Sequence, residues 1–192
     1  MTTTENPETQ TMPNGVNVEA LLGARQAFTG DTSLTRFTWR ARNEWVNGTH
    51  SRTTIEDFYG VGGEQSHDRP QVHHADHPAL FAAEDNDSTP VEFVLHALAA
   101  CLTGGIAAVA ANRGVTLHSV SSVLEGDMDI QGILGMDPDV RNGYSGVRVR
   151  FEIDADASEE EVASIVRQSQ KRSAVYDILS GNVPVEIDVT AA

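Results

Sequence analysis

The residues able to do chemistry gather between positions 73 and 101. A single cysteine, Cys101, lies in the stretch Leu98-Ala99-Ala100-Cys101-Leu102. One thiol cannot close an intrachain disulfide, form a Cys-x-x-Cys redox pair or build a multi-cysteine zinc site. It acts as a nucleophile when ionised, and otherwise fills space as a small apolar side chain, its commonest role. Glu92 and His96 precede it at nine and five residues, one helical turn apart from each other. His73, His74 and His77 with Asp76 supply the imidazoles and carboxylate that Zn²⁺ or Ni²⁺ prefers. Adjacent His73 and His74 leave a strand on opposite faces, so no metal and no other cofactor is expected. The run Gly60-Val61-Gly62-Gly63 lacks the following lysine of a phosphate-cradling loop. Lys171 is the one lysine, so a Schiff base would have to use it.

The charge narrows the partners. Twenty-eight Asp and Glu against 13 cationic side chains leave a formal charge of −15 across 192 residues. Phosphate backbones and anionic lipid surfaces need a basic face, so neither nucleic acid nor membrane is an expected partner. Residues 1–15 are polar without an apolar signal core, and a cytoplasmic protein is expected. That opening stretch reads as a disordered tail, with a single domain over 16–192.

Several elements must position these residues. Residues 16–28 have near-helical apolar spacing. Phe37, Trp39 and Ala41 alternate with Thr38, Arg40 and Arg42, which predicts a strand. Asn47-Gly48 is a turn signal, with 49–58 as the returning strand and 69–74 as a third before a polar loop to Ser88. Thr89-Pro90-Val91-Glu92 combines a cap, a proline at the first helical position and a glutamate at the third, and predicts a helix to Arg113 stopped by Gly114. That helix is apolar almost all round, interrupted by Glu92, His96, Thr103 and Asn112. A helix without a polar face must be covered on every side, which one small sheet cannot do, so a second copy of the chain is expected. Strands are predicted over 115–130 and 144–153. A helix capped by Ser158 and Glu161 follows to Arg172, then helical turns over 173–180. Val183, Val185, Ile187 and Val189 predict a closing strand. Strands clustered around two main helices make the class α+β.

The helix Thr89-Pro90-Val91-Glu92-Phe93-Val94-Leu95-His96-Ala97-Leu98-Ala99-Ala100-Cys101-Leu102 resembles the central-helix signature of the OsmC/Ohr family of thiol-dependent hydroperoxide reductases. Ala75-Asp76-His77-Pro78 before it and Asn112-Arg113-Gly114-Val115 after it match as well. So do Glu125-Gly126-Asp127-Met128-Asp129 and Ser173-Ala174-Val175-Tyr176-Asp177, and the likeness runs from about Thr35 to Val189. The resemblance implies an OsmC-like α+β fold in which two long central helices pack between antiparallel sheets of an intertwined homodimer.

It also implies a chemistry. A thiolate attacks a peroxide oxygen and becomes a sulfenic acid, an arginine oriented by a glutamate lowers the thiol pKa, and a second cysteine resolves the product. Cys101 matches the peroxidatic cysteine. The resolving position holds Ser173, so any cycle here needs an external thiol as reductant. The family glutamate position holds Val91, and Glu92 is the neighbouring candidate, although completing the cap with Thr89 is its plainer role. Arg52 is the candidate activating arginine, with Arg42 as rival. Because Cys101 lies in mid-helix, far from its own helix N-terminus, its activation is expected to come from a nearby cation. Phe93, Val94, His96 and Leu98 are the expected pocket for an organic hydroperoxide. The alternative is a non-catalytic homodimer of this fold holding a small apolar ligand at its interface.

Overall fold

The structure is a computed structural model that describes residues 12–191. Residues 1–11 of the expected tail lie outside the described residues. The chain is α+β, with helices and antiparallel sheets distributed over two compact units. One unit is Glu19–His96; the other joins Ala97–Ala192 to the segment ending at Val18.

In the Glu19–His96 unit, helix α1 (Val18–Gly30) precedes a four-stranded sheet centred on β3 (His50–Gly60). The Asn47-Gly48 turn returns β2 (Arg42–Asn47) onto β3, with Asn47 opposite His50 and Arg42 opposite Thr54. The strand expected over 37–42 is interrupted: β1 is only Thr38–Trp39, and it pairs further along β3 at Tyr59 and Phe58. The Trp39 and Phe58 rings meet at a tilt of 31° with centroids 4.7 Å apart. On the other edge of β3 lies β4 (Gly63–Ala75), longer than the predicted 69–74. The glycine-rich run is the hairpin turn between them, with Val61 at φ 52° and Gly62 at φ 78°. Two positive φ values are what the twist of a tight two-residue hairpin requires; glycine meets this freely and valine with strain.

Asp76 ends β4 as a buried carboxylate, 1% exposed. It accepts hydrogen bonds from Thr49 Oγ1 (2.5 Å), His77 N (2.8 Å), and the backbone N (3.1 Å) and Nδ2 (2.8 Å) of Asn86. These donors, the Thr49 hydroxyl foremost, hold its carboxyl far below the usual carboxylate range. The polar loop 76–88 is thus folded around one anion, and it delivers the chain to helix α2 (Pro90–Arg113). Half of the predicted capping box forms: Glu92 accepts from Thr89 N at 2.9 Å, while the Thr89 hydroxyl lies 3.1 Å from His77 Nδ1 and Glu92 N donates to Thr89 O.

In the second unit the buried residues of α2 are Leu98, Leu102, Ile106, Val109, Ala110 and Ala111, a stripe at three- and four-residue spacing. Ile106, Val109 and Ala110 pack with Val115 and Ile165, flanked by Val120, Phe151, Ile153 and Val166. The sheet here is the antiparallel pair β5 (Leu117–Asp127) and β6 (Gly146–Ala155), in register at Val120 and Ile153. Helix α3 (Glu159–Arg172) starts at Ser158, whose hydroxyl accepts from Glu161 N, and α4 (Ala174–Ser180) follows at once. Residues 12–15, expected in the disordered tail, are ordered: Pro13–Gly15 is a 3₁₀ turn. The Asn14 carboxamide donates to Val115 O and accepts from Leu117 N, both at 2.9 Å.

Two observations bear on the expected second copy. Most of α2 outside its stripe is not buried, although the helix is apolar and long enough to cross a membrane by length and composition alone. The closing strand is also not formed. Residues 183–189 join no ladder among the described residues, and Val185, Ile187 and Val189 stand more than 80% exposed. The alternation is present in the sequence; the sheet to receive it is not present in this chain's own pairing.

Candidate functional site

Cys101 immediately precedes buried Leu102, about 100° around the helix from it, so the thiol sits at the margin of the core stripe and is only partly buried. Helix α3 is brought against this stretch by a close contact. Gly105 faces Ser169, and a Cβ at that glycine would overlap the Ser169 hydroxyl. Ser169 is 2% exposed and donates its hydroxyl proton to Leu102 O at 2.7 Å. That bond fixes the register of α3 against α2. Four residues later, at the junction of α3 and α4, Ser173 meets the sulfur: its Oγ lies 3.1 Å from Cys101 Sγ.

Ser173 is also the N-cap of α4, accepting from Tyr176 N at 3.1 Å. The first N–H groups of α4, those of Ala174 and Val175, have no acceptor within their own helix and favour the charged form of the sulfur. Burial pushes the Cys101 thiol up, while the Ser173 hydroxyl and the Val175 and Ala174 N–H groups pull it down. The donors outweigh burial, and the thiol lies below its ordinary value. Within the described residues of this chain, the groups that draw the Cys101 pKa down are neutral donors at the start of a different helix.

The other predicted residues lie as follows. Arg52, on β3 in the Glu19–His96 unit, is exposed and ion-paired with Glu44 across the β2–β3 ladder. Its rival Arg42 pairs with Asp57 at 2.6 Å. Glu92 serves in the capping box. Leu98, expected to line a pocket, is buried in the stripe of α2. Val94 is half-buried. Phe93 and His96 line a cavity of about 330 Å³ with Val72, His73, His74 and Glu92. A second cavity of similar size runs beside Phe93 and Pro90 over Ile55 and Thr53.

The histidines are engaged separately. His50 Nε2 lies 2.8 Å from His74 Nδ1, His77 Nδ1 lies 3.1 Å from Thr89 Oγ1, and the His73 ring meets Phe93 edge-on at 6.3 Å between centroids. Among the described residues no three His, Cys, Asp or Glu side chains converge to hold a metal ion.

Sequence reasoning missed Ser169 and the α4 N–H groups. A mid-helix Gly104-Gly105 pair signals a close helix approach, and Ser173 before an apolar turn signals a cap. Nothing in the residue types says that the cap lies against position 101.

The profile of OsmC-like proteins matches residues 83–188, from the Asp76 loop through α2, both strands of the second sheet, α3 and α4. The chain belongs to the OsmC/Ohr family. Solved OsmC-like structures share its fold. One from Mycoplasma pneumoniae aligns at 16% identity and TM-score 0.52 over 75% of this chain and 88% of its own. An OsmC-like protein of unknown function from Vibrio cholerae aligns at 10% identity and TM-score 0.54 over 74% and 94%. A putative osmotic stress induced and detoxification response protein from Psychrobacter arcticus aligns at 10% identity and TM-score 0.54 over 72% and 85%. No curated protein sequence matches the chain. In this OsmC-like protein, Cys101 and Ser173 thus both fall within the matched segment.

Proposed function

We propose that this OsmC-like protein reduces organic hydroperoxides through Cys101, with an external thiol as reductant. The observation that carries the reading is the sulfur's setting: a partly buried thiol drawn below its ordinary pKa by one hydroxyl and two helix-terminal N–H groups. The thiolate attacks one peroxide oxygen, and the O–O electron pair leaves on the other oxygen, which takes a proton as alcohol. Cys101 becomes a sulfenic acid. An external thiol condenses with it, releasing water and forming a mixed disulfide. A second external thiol then attacks that disulfide and restores Cys101.

A hydroxyl at position 173 cannot supply the second sulfur, so both reducing equivalents come from outside the chain. Arg52 and Glu92 are the candidates for the charged pair that steadies the reacting oxygen. Each would leave a present partner to do so, Glu44 for the one and Thr89 N for the other. That engagement favours the second reading, a non-catalytic homodimer of this fold holding a small apolar ligand at its interface.

Two copies are part of both readings. The uncovered apolar surface of α2 and the exposed alternating segment 183–189 support a homodimer in which each chain completes the other's core and sheet. Purified protein should consume cumene hydroperoxide when supplied with a dithiol, and Cys101→Ser should lower the rate at least a hundredfold. Equal rates in the two proteins would remove the peroxidase reading and leave the binder.

A further inference from the structure

We propose that Ser173 is a positioning residue for Cys101: its hydroxyl donates to the sulfur while its oxygen caps α4, coupling the sulfur's ionisation to the cap of that helix. The inference rests on the thiol chemistry above and deepens it. A serine hydroxyl has one proton and two lone pairs. At Ser173 the Tyr176 N–H is received at 3.1 Å, and the single proton is directed at Cys101 Sγ, also 3.1 Å away. The side chain is 5% exposed, so water competes little for either bond.

Its place is set from both directions. Ser169, one turn earlier, ties α3 to Leu102 O, and the α4 cap begins at Ser173 itself. A buried hydroxyl fixed at both ends donates better to an anion than to a neutral thiol, since charge-assisted bonds are about twice as strong as neutral ones. Ionisation of the sulfur is thereby favoured, and the Val175 and Ala174 N–H groups act on the same charge. The position that would carry a resolving sulfur instead carries the donor that readies the first one.

The experiment reads the pH dependence of iodoacetamide alkylation at Cys101, the chain's single cysteine, and needs no peroxide. Ser173→Ala should move the midpoint upward and slow alkylation at pH 7 about tenfold, the effect of losing one charged hydrogen bond. Ser173→Gly separates this role from capping, because glycine is tolerated at an N-cap at a cost of only about a few tenths of a kcal/mol. It should show the same upward shift while α4 persists. Ser173→Thr keeps both the hydroxyl and the cap and should stay within about twofold of wild type.

Profiles for Ser173→Ala and Ser173→Gly that superimpose on wild type would overturn the inference. So would a shift in Ser173→Ala alone, which would assign the effect to the cap. Wild-type protein that consumes no peroxide while these shifts are seen would count against the peroxidase reading and not against Ser173.

Discussion

At the scale of single residues, Cys101 and Asp76 are both drawn below their ordinary pKa by neutral donors. For Cys101 the donors outweigh burial, so thiolate accumulates at lower pH than in an unperturbed cysteine. The rate of sulfur alkylation should therefore rise with pH through a midpoint below that of a reference thiol peptide. A midpoint at or above the peptide's would mean that burial dominates. Asp76 carries no chemistry in this reading; it organises the loop that starts α2. Its folded pKa is depressed, so its contribution to stability is complete above the unfolded value of about 3.9 and is lost as pH falls below it. Asp76→Asn should lower the urea midpoint at neutral pH. It should also flatten the decline in stability between pH 5 and pH 3 relative to wild type. Parallel declines in the two proteins would show that other carboxylates govern acid unfolding.

At the scale of elements, the contact between α2 and α3 at Gly105 sets the distance from Ser173 to Cys101. A methyl at position 105 would overlap the buried Ser169 hydroxyl, and relief requires α3 to shift or the Ser169–Leu102 bond to break. Gly105→Ala should therefore cost about 1–3 kcal/mol by overpacking, despite alanine's higher helix propensity. It should also slow Cys101 alkylation at neutral pH, since Ser173 moves with α3. A stabilised variant with unaltered reactivity would show that the contact gives way freely.

The helices were legible in the sequence because their ends are encoded locally. Thr89 with Glu92 and Ser158 with Glu161 announce α2 and α3, and Gly114 ends the former with a left-handed φ of 71°. The first half of β4 was not legible. Residues 64–68 are polar and exposed on both faces, so no alternation marks them, and their pairing is imposed by the Val61-Gly62 turn. Cys101 could be found from its motif. The pull on its pKa from backbone N–H groups 73 and 74 residues further along could not, because a backbone donor has no residue type.

At the scale of the whole molecule, many large apolar side chains among the described residues stand exposed. Within the described residues the fully buried core is small, and the closing apolar segment projects Val183, Val185, Ile187 and Val189. An extended segment with apolar residues at period two and no ladder partner fits the open edge of a sheet, where backbone pairing and one-sided burial are gained together. With a second copy as the proposed source of that edge, each valine or isoleucine buried there contributes about 1.5–3 kcal/mol. Placing a charge on that face should therefore weaken association more than tenfold per site, since about 1.4 kcal/mol is a factor of ten. Sedimentation equilibrium should find wild-type protein as a dimer of 20.7 kDa chains. Val185→Asp with Ile187→Asp should shift the population toward monomer. The polar substitutions Arg141→Gln and Glu160→Gln, outside that segment, should leave association unchanged. A wild-type monomer, or a double variant that dimerises as tightly as wild type, would remove segment 183–189 from the interface and with it the account of why its alternation has no partner within the chain.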